Sequence, residues 1–213
     1  MTTPLTAKIA REYGTPCAVI DMDRVERNIA RIQKACDVAG VANRPHIKTH
    51  KSPVLAKAQL AAGARGITCQ KLGEAEIMAD AGIDDILISY NLIGEEKMAR
   101  LGALQQQANM TVAADNSTVI AGLPQAAAAS GRQLSVVVEC DTGRKRAGVE
   151  TPAEAVVLAR QIAASKGLQF AASCSIRRRP AGTTRRSSLM RRLPACAHMG
   201  SMPRSSPPEA RRT

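Results

Sequence analysis

Short apolar runs alternate along this chain with longer stretches in which apolar residues recur every three or four positions. The runs predict strands and the stretches predict helices. After Thr15-Pro16, Cys17-Ala18-Val19-Ile20 reads as a short strand. Val25, Ile29, Ile32 and Cys36 then recur at helical spacing, from an N-cap at Asp23 to a stop at Gly40. Residues 44–50 alternate as a strand, and Leu55, Ala58, Leu60 and Ala61 belong to a helix ending at Gly63. Further strands are predicted at 66–70, 85–90, 110–114 and 134–139, and another opens at Leu168-Gln169-Phe170. Helices fill the gaps at 72–81, at 95–107, from Asn116 or Ser117 to Gly131, and from Thr151 to about 165. Thr151 with Glu154 three residues on has the form of a capping box.

This is a βα rhythm with a period of roughly 20–25 residues, and its short β-branched strands suit a parallel sheet covered by helices. No G-x-G-x-x-G follows the first strand, so a dinucleotide-binding fold is not favoured. Counted from Arg44 there are five strands, with a sixth beginning. A closed barrel has eight and typically needs about 250 residues, whereas this chain has 213. The expected fold is α/β, an incomplete TIM-type (β/α)8 barrel of five to six βα units. Residues 1–15 read as a polar lead-in, 16–171 as the partial barrel and 172–213 as a tail.

Composition changes the picture mainly at that tail. Residues 171–213 hold ten Arg and one Glu, a balance of +9, against +3 for residues 1–170. The tail is Arg, Ser, Pro and Ala with neither period, a composition expected to stay disordered. It lacks interleaved aromatics, glycine repeats and Lys, so a nucleic-acid partner is not expected. GC-rich codons read out of register yield such a mixture, and a shifted reading frame is the expected origin. No run approaches the roughly 20 apolar residues of a membrane helix, and no apolar leader opens the chain, so neither a membrane nor a secretory route is expected. Six cysteines lie scattered without CxxC spacing, which fits a reducing cytoplasm.

The richest chemistry lies in Arg44-Pro45-His46-Ile47-Lys48-Thr49-His50-Lys51. Read as a strand, it puts His46, Lys48 and His50 on one face. A lysine there is a candidate Schiff-base former, because burial and neighbouring cations free an amine as a nucleophile. The two histidines would stand about 13 Å apart on a strand, too far to share one metal ion. They could tune Lys48, stack on a cofactor ring or bind an anionic substrate. A second stretch, Glu139-Cys140-Asp141-Thr142-Gly143-Arg144-Lys145-Arg146-Ala147-Gly148, ends a strand and turns into a basic loop. In parallel α/β folds such loops form the active site. Alternation puts Val137, Glu139 and Asp141 on one face. Gln70, Tyr90 and Asn91 also end strands. Cys196-Ala197-His198 lies in the aberrant tail and is read as chance, so no metal ligands are assigned.

R-P-H-x-K-T-H-K resembles the cofactor-lysine segment of the D-threonine aldolase and D-serine dehydratase family, pyridoxal-phosphate enzymes with an alanine-racemase-like barrel. D-T-G-x-x-R-x-G at 141–148 resembles the barrel motif in which an arginine hydrogen-bonds the cofactor's phenolic oxygen. Residues 70–76 and 82–91 resemble the aldolase-like branch. The resemblance spans residues 15–171. It implies Lys48 as the Schiff-base lysine, Arg146 as the residue on the phenolic oxygen, His46 and Gln70 as further cofactor contacts, and His50, Tyr90 and Asp141 near the substrate. The implied reaction is retro-aldol cleavage of a D-3-hydroxy amino acid to glycine and an aldehyde. The alternatives are β-elimination from D-serine and a non-catalytic fragment of such an enzyme. Intact relatives are expected to use a divalent metal, held by residues without counterpart here, and a homodimer is compatible with the family.

Overall fold

Residues 4–176 are described in the computed structural model. Three helices come first: α1 (Pro4–Tyr13), α2 (Met22–Val38) and α3 (Pro53–Ala61). Strand and helix then alternate as β1 (Ile67–Cys69), α4 (Leu72–Asp80), β2 (Asp85–Ile88), α5 (Glu95–Gln107), β3 (Asn109–Ala114), α6 (Ser117–Ser130), β4 (Leu134–Cys140), α7 (Pro152–Ala164) and β5 (Leu168–Ser175). Every pairing is parallel, and the spatial order is β1-β2-β3-β4-β5. A doubly wound sheet reverses its order midway. Here each strand lies beside its predecessor without reversal, which is the winding of a (β/α)8 barrel. The fold is therefore the partial barrel that the βα rhythm predicts.

Alternation sorts the strand residues onto two faces. Ile67, Cys69, Ile86, Ile88, Met110, Val112, Leu134, Val136 and Val138 are buried in one cluster with side chains from α4 to α7. The helices contribute Met78, Leu101, Ile120, Leu123, Leu158 and Ile162, among others. Burying one such side chain stabilises by about 1.5–3 kcal/mol, so this layer fixes the helices to the sheet. The intervening positions, among them Leu87, Thr111, Ser135 and Val137, form the inner face. Local signals place the helix starts. The Asn116 carboxamide oxygen accepts from the Val119 amide at 3.0 Å, and Thr151 with Glu154 forms the predicted capping box.

Four expectations are corrected. Residues 4–13 of the lead-in form α1, which buries none of its residues. Cys17-Ala18-Val19-Ile20 is not a strand, and Val19 and Ile20 are exposed. An apolar run without a neighbouring strand has no ladder to join. The α2 N-cap is Asp21, whose carboxylate accepts from the Arg24 amide at 3.0 Å, while Asp23 sits in the first turn.

The fourth correction concerns residues 44–50. Only their first half lies along the sheet. The Thr68 amide donates to the Pro45 carbonyl at 2.8 Å, and His46 pairs with Thr68 in parallel. Pro45 has no amide hydrogen to extend the ladder. The chain then turns through a 3-10 helix, Ile47–Thr49.

β5 continues through Ser175, four residues past the point where the sequence changes character. Residues 169–173 are exposed, and β5 has a strand neighbour on one side only among the described residues. The expectations of a disordered tail, a shifted frame and a chance Cys196/His198 pair fall on residues outside those described.

Arg44 joins β1 to β2. Its guanidinium donates to the carbonyls of Ile67 and Asp85, both at 3.3 Å, and pairs with the Asp85 carboxylate at 2.8 Å. Gly66 makes the room: a Cβ there would lie 2.5 Å from Arg44 Nη1 and 2.5 Å from the Asp85 carbonyl oxygen. One of those neighbours is backbone and cannot swing aside. Gly66→Ala is expected to destabilise the chain by about 2 kcal/mol, read as a lower midpoint in chemical denaturation. An unchanged midpoint would show that Arg44 does not need this space.

Candidate active site

Because all strands are parallel, their C-terminal ends collect at one rim, and side chains there converge from different strands. The rim carries two groups of polar residues, one around His46 and one around Glu139.

In the first group His46 is half-buried. Its Nδ1 accepts from the Lys48 amide at 3.3 Å, and its Nε2 lies 3.3 Å from the Ser89 hydroxyl oxygen. The Ser89 hydroxyl donates to the Cys69 carbonyl at 3.4 Å. With Nδ1 accepting and the hydroxyl proton spent on Cys69, Nε2 carries the ring proton and donates to Ser89. Burial, then the Lys48 charge, pushes the His46 pKa down, with Glu74 and Gln70 opposing, so the ring stays neutral near pH 7.

Lys48 itself is exposed. This corrects the strand reading, which called for a buried amine flanked by both histidines. His50 has parted from the group. Its Nδ1 accepts from the Ser52 amide at 3.1 Å at the start of α3, and its Nε2 is buried without a partner among the described residues. Burial lowers its pKa, with the Gln59 side chain opposing. His50 therefore faces the α3 junction. The turn after His46 breaks the alternation that would have kept the two rings together.

Gln70 lies beside the His46 ring, and its amide donates to Glu74 at 2.9 Å. Glu74 is buried and pairs with Lys51 at 3.3 Å. Burial pushes its pKa up, but the Gln70 amide, Lys51 and Lys71 outweigh that and hold it below the ordinary carboxylate range.

The second group surrounds the end of β4. Glu139 is buried, and its Oε1 lies 3.7 Å from Nη2 of Arg146, whose side chain is half-exposed. Burial pushes the Glu139 pKa up; Arg146 opposes and Asp115 reinforces. Asp141 is engaged by its own loop. Its carboxylate accepts the amides of Gly143 at 2.9 Å, Arg144 at 2.8 Å and Lys145 at 2.7 Å, which folds the loop over it. This is an organising role for the carboxylate. Tyr90 is 56% exposed and is not drawn into the rim cluster. Its neighbour Asn91 is: Asn91 Nδ2 donates to Asp115 at 2.7 Å, and Asn91 Oδ1 is buried without a partner among the described residues.

Sequence reasoning missed Ser89 and Asp115. Both follow apolar strand runs, and strand register would have aligned Asp115 with Glu139. Among the described residues no three His, Cys, Asp or Glu side chains gather as metal ligands.

A parallel sheet whose strands follow one another without reversal, with polar and charged side chains at its C-terminal rim, defines the class as a partial (β/α)8 barrel. Residues 20–186 match the family model described as the alanine racemase N-terminal domain. The chain belongs to that family of fold-type III pyridoxal-phosphate enzymes. It is 43% identical over 157 residues to the D-threonine aldolase of an Arthrobacter species, covering 74% of this chain and 41% of that protein. The crystal structure of D-threonine aldolase from Filomicrobium marinum superposes with a TM-score of 0.73 at 40% identity, covering 75% of this chain and 43% of that one. The D-threo-3-hydroxyaspartate dehydratase of Delftia sp. HT23 superposes with a TM-score of 0.69 at 34% identity, covering 76% and 43%. The chain thus spans about two fifths of the length of these relatives.

The donor set at the rim suits pyridoxal phosphate in part. Lys48 offers a primary amine for the aldehyde, Arg146 a permanent cation for an oxyanion, and the orphaned Asn91 Oδ1 a buried acceptor.

The Glu74 arrangement yields a pH test. Its folded pKa is depressed, so its contribution to stability is full above the ordinary glutamate pKa. That contribution is lost as pH falls through the folded value. Glu74→Gln is expected to cost about 1 kcal/mol near pH 7 and progressively less in acid. Denaturation at a series of pH values checks this, and a gap that widens in acid would contradict it.

Proposed function

We propose that this chain carries the cofactor-lysine half of a pyridoxal-phosphate lyase acting on D-3-hydroxy amino acids. One observation supports the reading: Lys48 follows the residue that pairs with β1 and Arg146 follows β4, so two residues far apart in the sequence lie beyond the C-terminal ends of strands of one parallel sheet. Lys48 would hold the cofactor's aldehyde through its amine, and Arg146 would face the phenolic oxygen. Bound there, pyridoxal phosphate supplies an electron sink for the charge left at Cα when a substrate bond breaks.

The chain's own residues set the terms of binding. Arg146 keeps its charge at any working pH and can hold an oxyanion ionised. His46 presents a neutral ring fixed by Lys48 and Ser89, so its orientation is set before any ligand arrives. Its neutrality also spares Lys48 a second positive charge two residues away. Gln70 sits at the same ring and extends the polar surface.

The preferred reaction is retro-aldol cleavage to glycine and an aldehyde, as the name of the 43% identical relative suggests. The likeness to a dehydratase supports a second reading, β-elimination of water. Both require the same lysine and the same cofactor.

Titration of the chain with pyridoxal phosphate is expected to produce a visible band near about 420 nm, where Schiff bases of this cofactor absorb. Lys48→Ala is expected to abolish the band. Because Lys48 is exposed, the substitution should change stability by no more than about 0.5 kcal/mol. A band that survives in Lys48→Ala, or its absence from the parent chain, would overturn the reading.

A further inference from the structure

One carboxylate at the rim is shared by three donors. Asp115 follows β3 directly. Its Oδ1 accepts from Asn91 Nδ2 at 2.7 Å and from Asn116 Nδ2 at 2.7 Å. Its Oδ2 accepts from the Gly148 amide at 3.1 Å. Asn91 follows β2, Asn116 caps α6, and Gly148 belongs to the loop that carries Arg146.

That loop is closed on itself. The Val149 amide donates to the Glu139 carbonyl at 2.9 Å, and the Asp141 amide donates to the Val149 carbonyl at 2.8 Å. Gly148 holds φ at +101°, and a Cβ there would lie 2.6 Å from the Asp141 nitrogen. Arg146 thus sits between two anchored legs. Asp141 grips the amides of residues 143–145 before it, and Asp115 grips Gly148 after it.

We propose that Asp115 is a positioning residue: it fastens the 141–149 loop to the ends of β2 and β3 and so holds the Arg146 guanidinium over Glu139. The proposal deepens the reading above, on which Arg146 is a cofactor-binding residue. The chemistry calls for an acid at this place. Asp115 meets three N–H donors and offers none of its own, which an ionised carboxylate does fully. An asparagine would turn an NH2 group against one of those donors and leave it unsatisfied.

The test uses the whole chain. Glu139 reports where Arg146 is, because Arg146 holds its carboxyl below the value that burial alone would set. Its titration midpoint is followed by carbon NMR, without cofactor, in four proteins: the parent, Arg146→Ala, Asp115→Asn and the double variant. Asp115→Asn lowers the midpoint by itself, since a negative neighbour is lost, so the quantity compared is the increment due to Arg146→Ala in each background. The expected result is an upward increment in the parent and none in Asp115→Asn. Equal increments in both would overturn the proposal. If Asp115→Asn fails to fold, Asp115→Glu, which keeps the charge but displaces both oxygens, is read by the same two outcomes.

Equilibrium binding of pyridoxal phosphate gives a second arm. Asp115→Asn is expected to weaken it about tenfold, and the double variant to be no weaker than Arg146→Ala. Additive losses contradict the proposal. If the parent binds no cofactor while the carboxyl increments behave as expected, the cofactor reading falls and the positioning role stands. Equal increments in a chain that binds the cofactor give the reverse.

Discussion

Every strand of this sheet runs the same way and lies next to the one before it, so each strand's last residues arrive at a common rim. Most of what the site contains follows from that geometry. Gln70, Ser89, Asn91, Asp115 and Glu139 are separated by tens of residues in the chain, yet each comes at or just beyond the end of a neighbouring strand. No single loop could gather them. The helix-side layer, from Ile67 to Val138, supplies the apolar burial that holds the strands in register. The inner face is left free to carry small and polar side chains.

The electrostatics of the rim follow from placing opposite charges at different depths. Glu139 and Glu74 are buried and set by strand or helix, whereas their partners Arg146 and Lys51 are at least half-exposed. The buried partner in each pair is the acid, and the base is the partner that reaches solvent. The two acids differ in how fully they are satisfied. Glu74 accepts a backbone amide besides its lysines and is stabilised as an anion, while Glu139, beside Asp115, is pushed toward its neutral form. Arg146 therefore rests on a reluctant anion, a contact that a better one could replace.

The sequence was informative wherever the deciding forces were local. The α5 helix was bounded correctly at Glu95 and Gln107, Asn116 was one of two named caps, and the Thr151/Glu154 box was recognised outright. Each depends on contacts within four residues. The misreadings share a different cause. Residues 47–50 alternate like a strand, but Pro45 withholds a ladder hydrogen and the His46 ring captures the Lys48 amide, so the chain turns. Residues 17–20 are apolar enough for a strand and have no strand beside them among the described residues. Asp141 alternates inward in the sequence but is captured by three amides of its own loop. Asp115 was overlooked because two of its three partners lie 24 and 33 positions away, a relation that the sequence alone does not display. The motif carrying Lys48 and Arg146 was legible as a resemblance, and the fold then brought both to one rim.

The central claim is that a particular amine at this rim, among many exposed lysines, takes up an aldehyde cofactor. Borohydride reduction of the chain in the presence of limiting pyridoxal phosphate, followed by peptide mass mapping, tests it most directly. The account predicts a pyridoxyl group on Lys48, with Lys51 and Lys71 unmodified. A label spread evenly over the exposed lysines, or concentrated on Lys51, would contradict it.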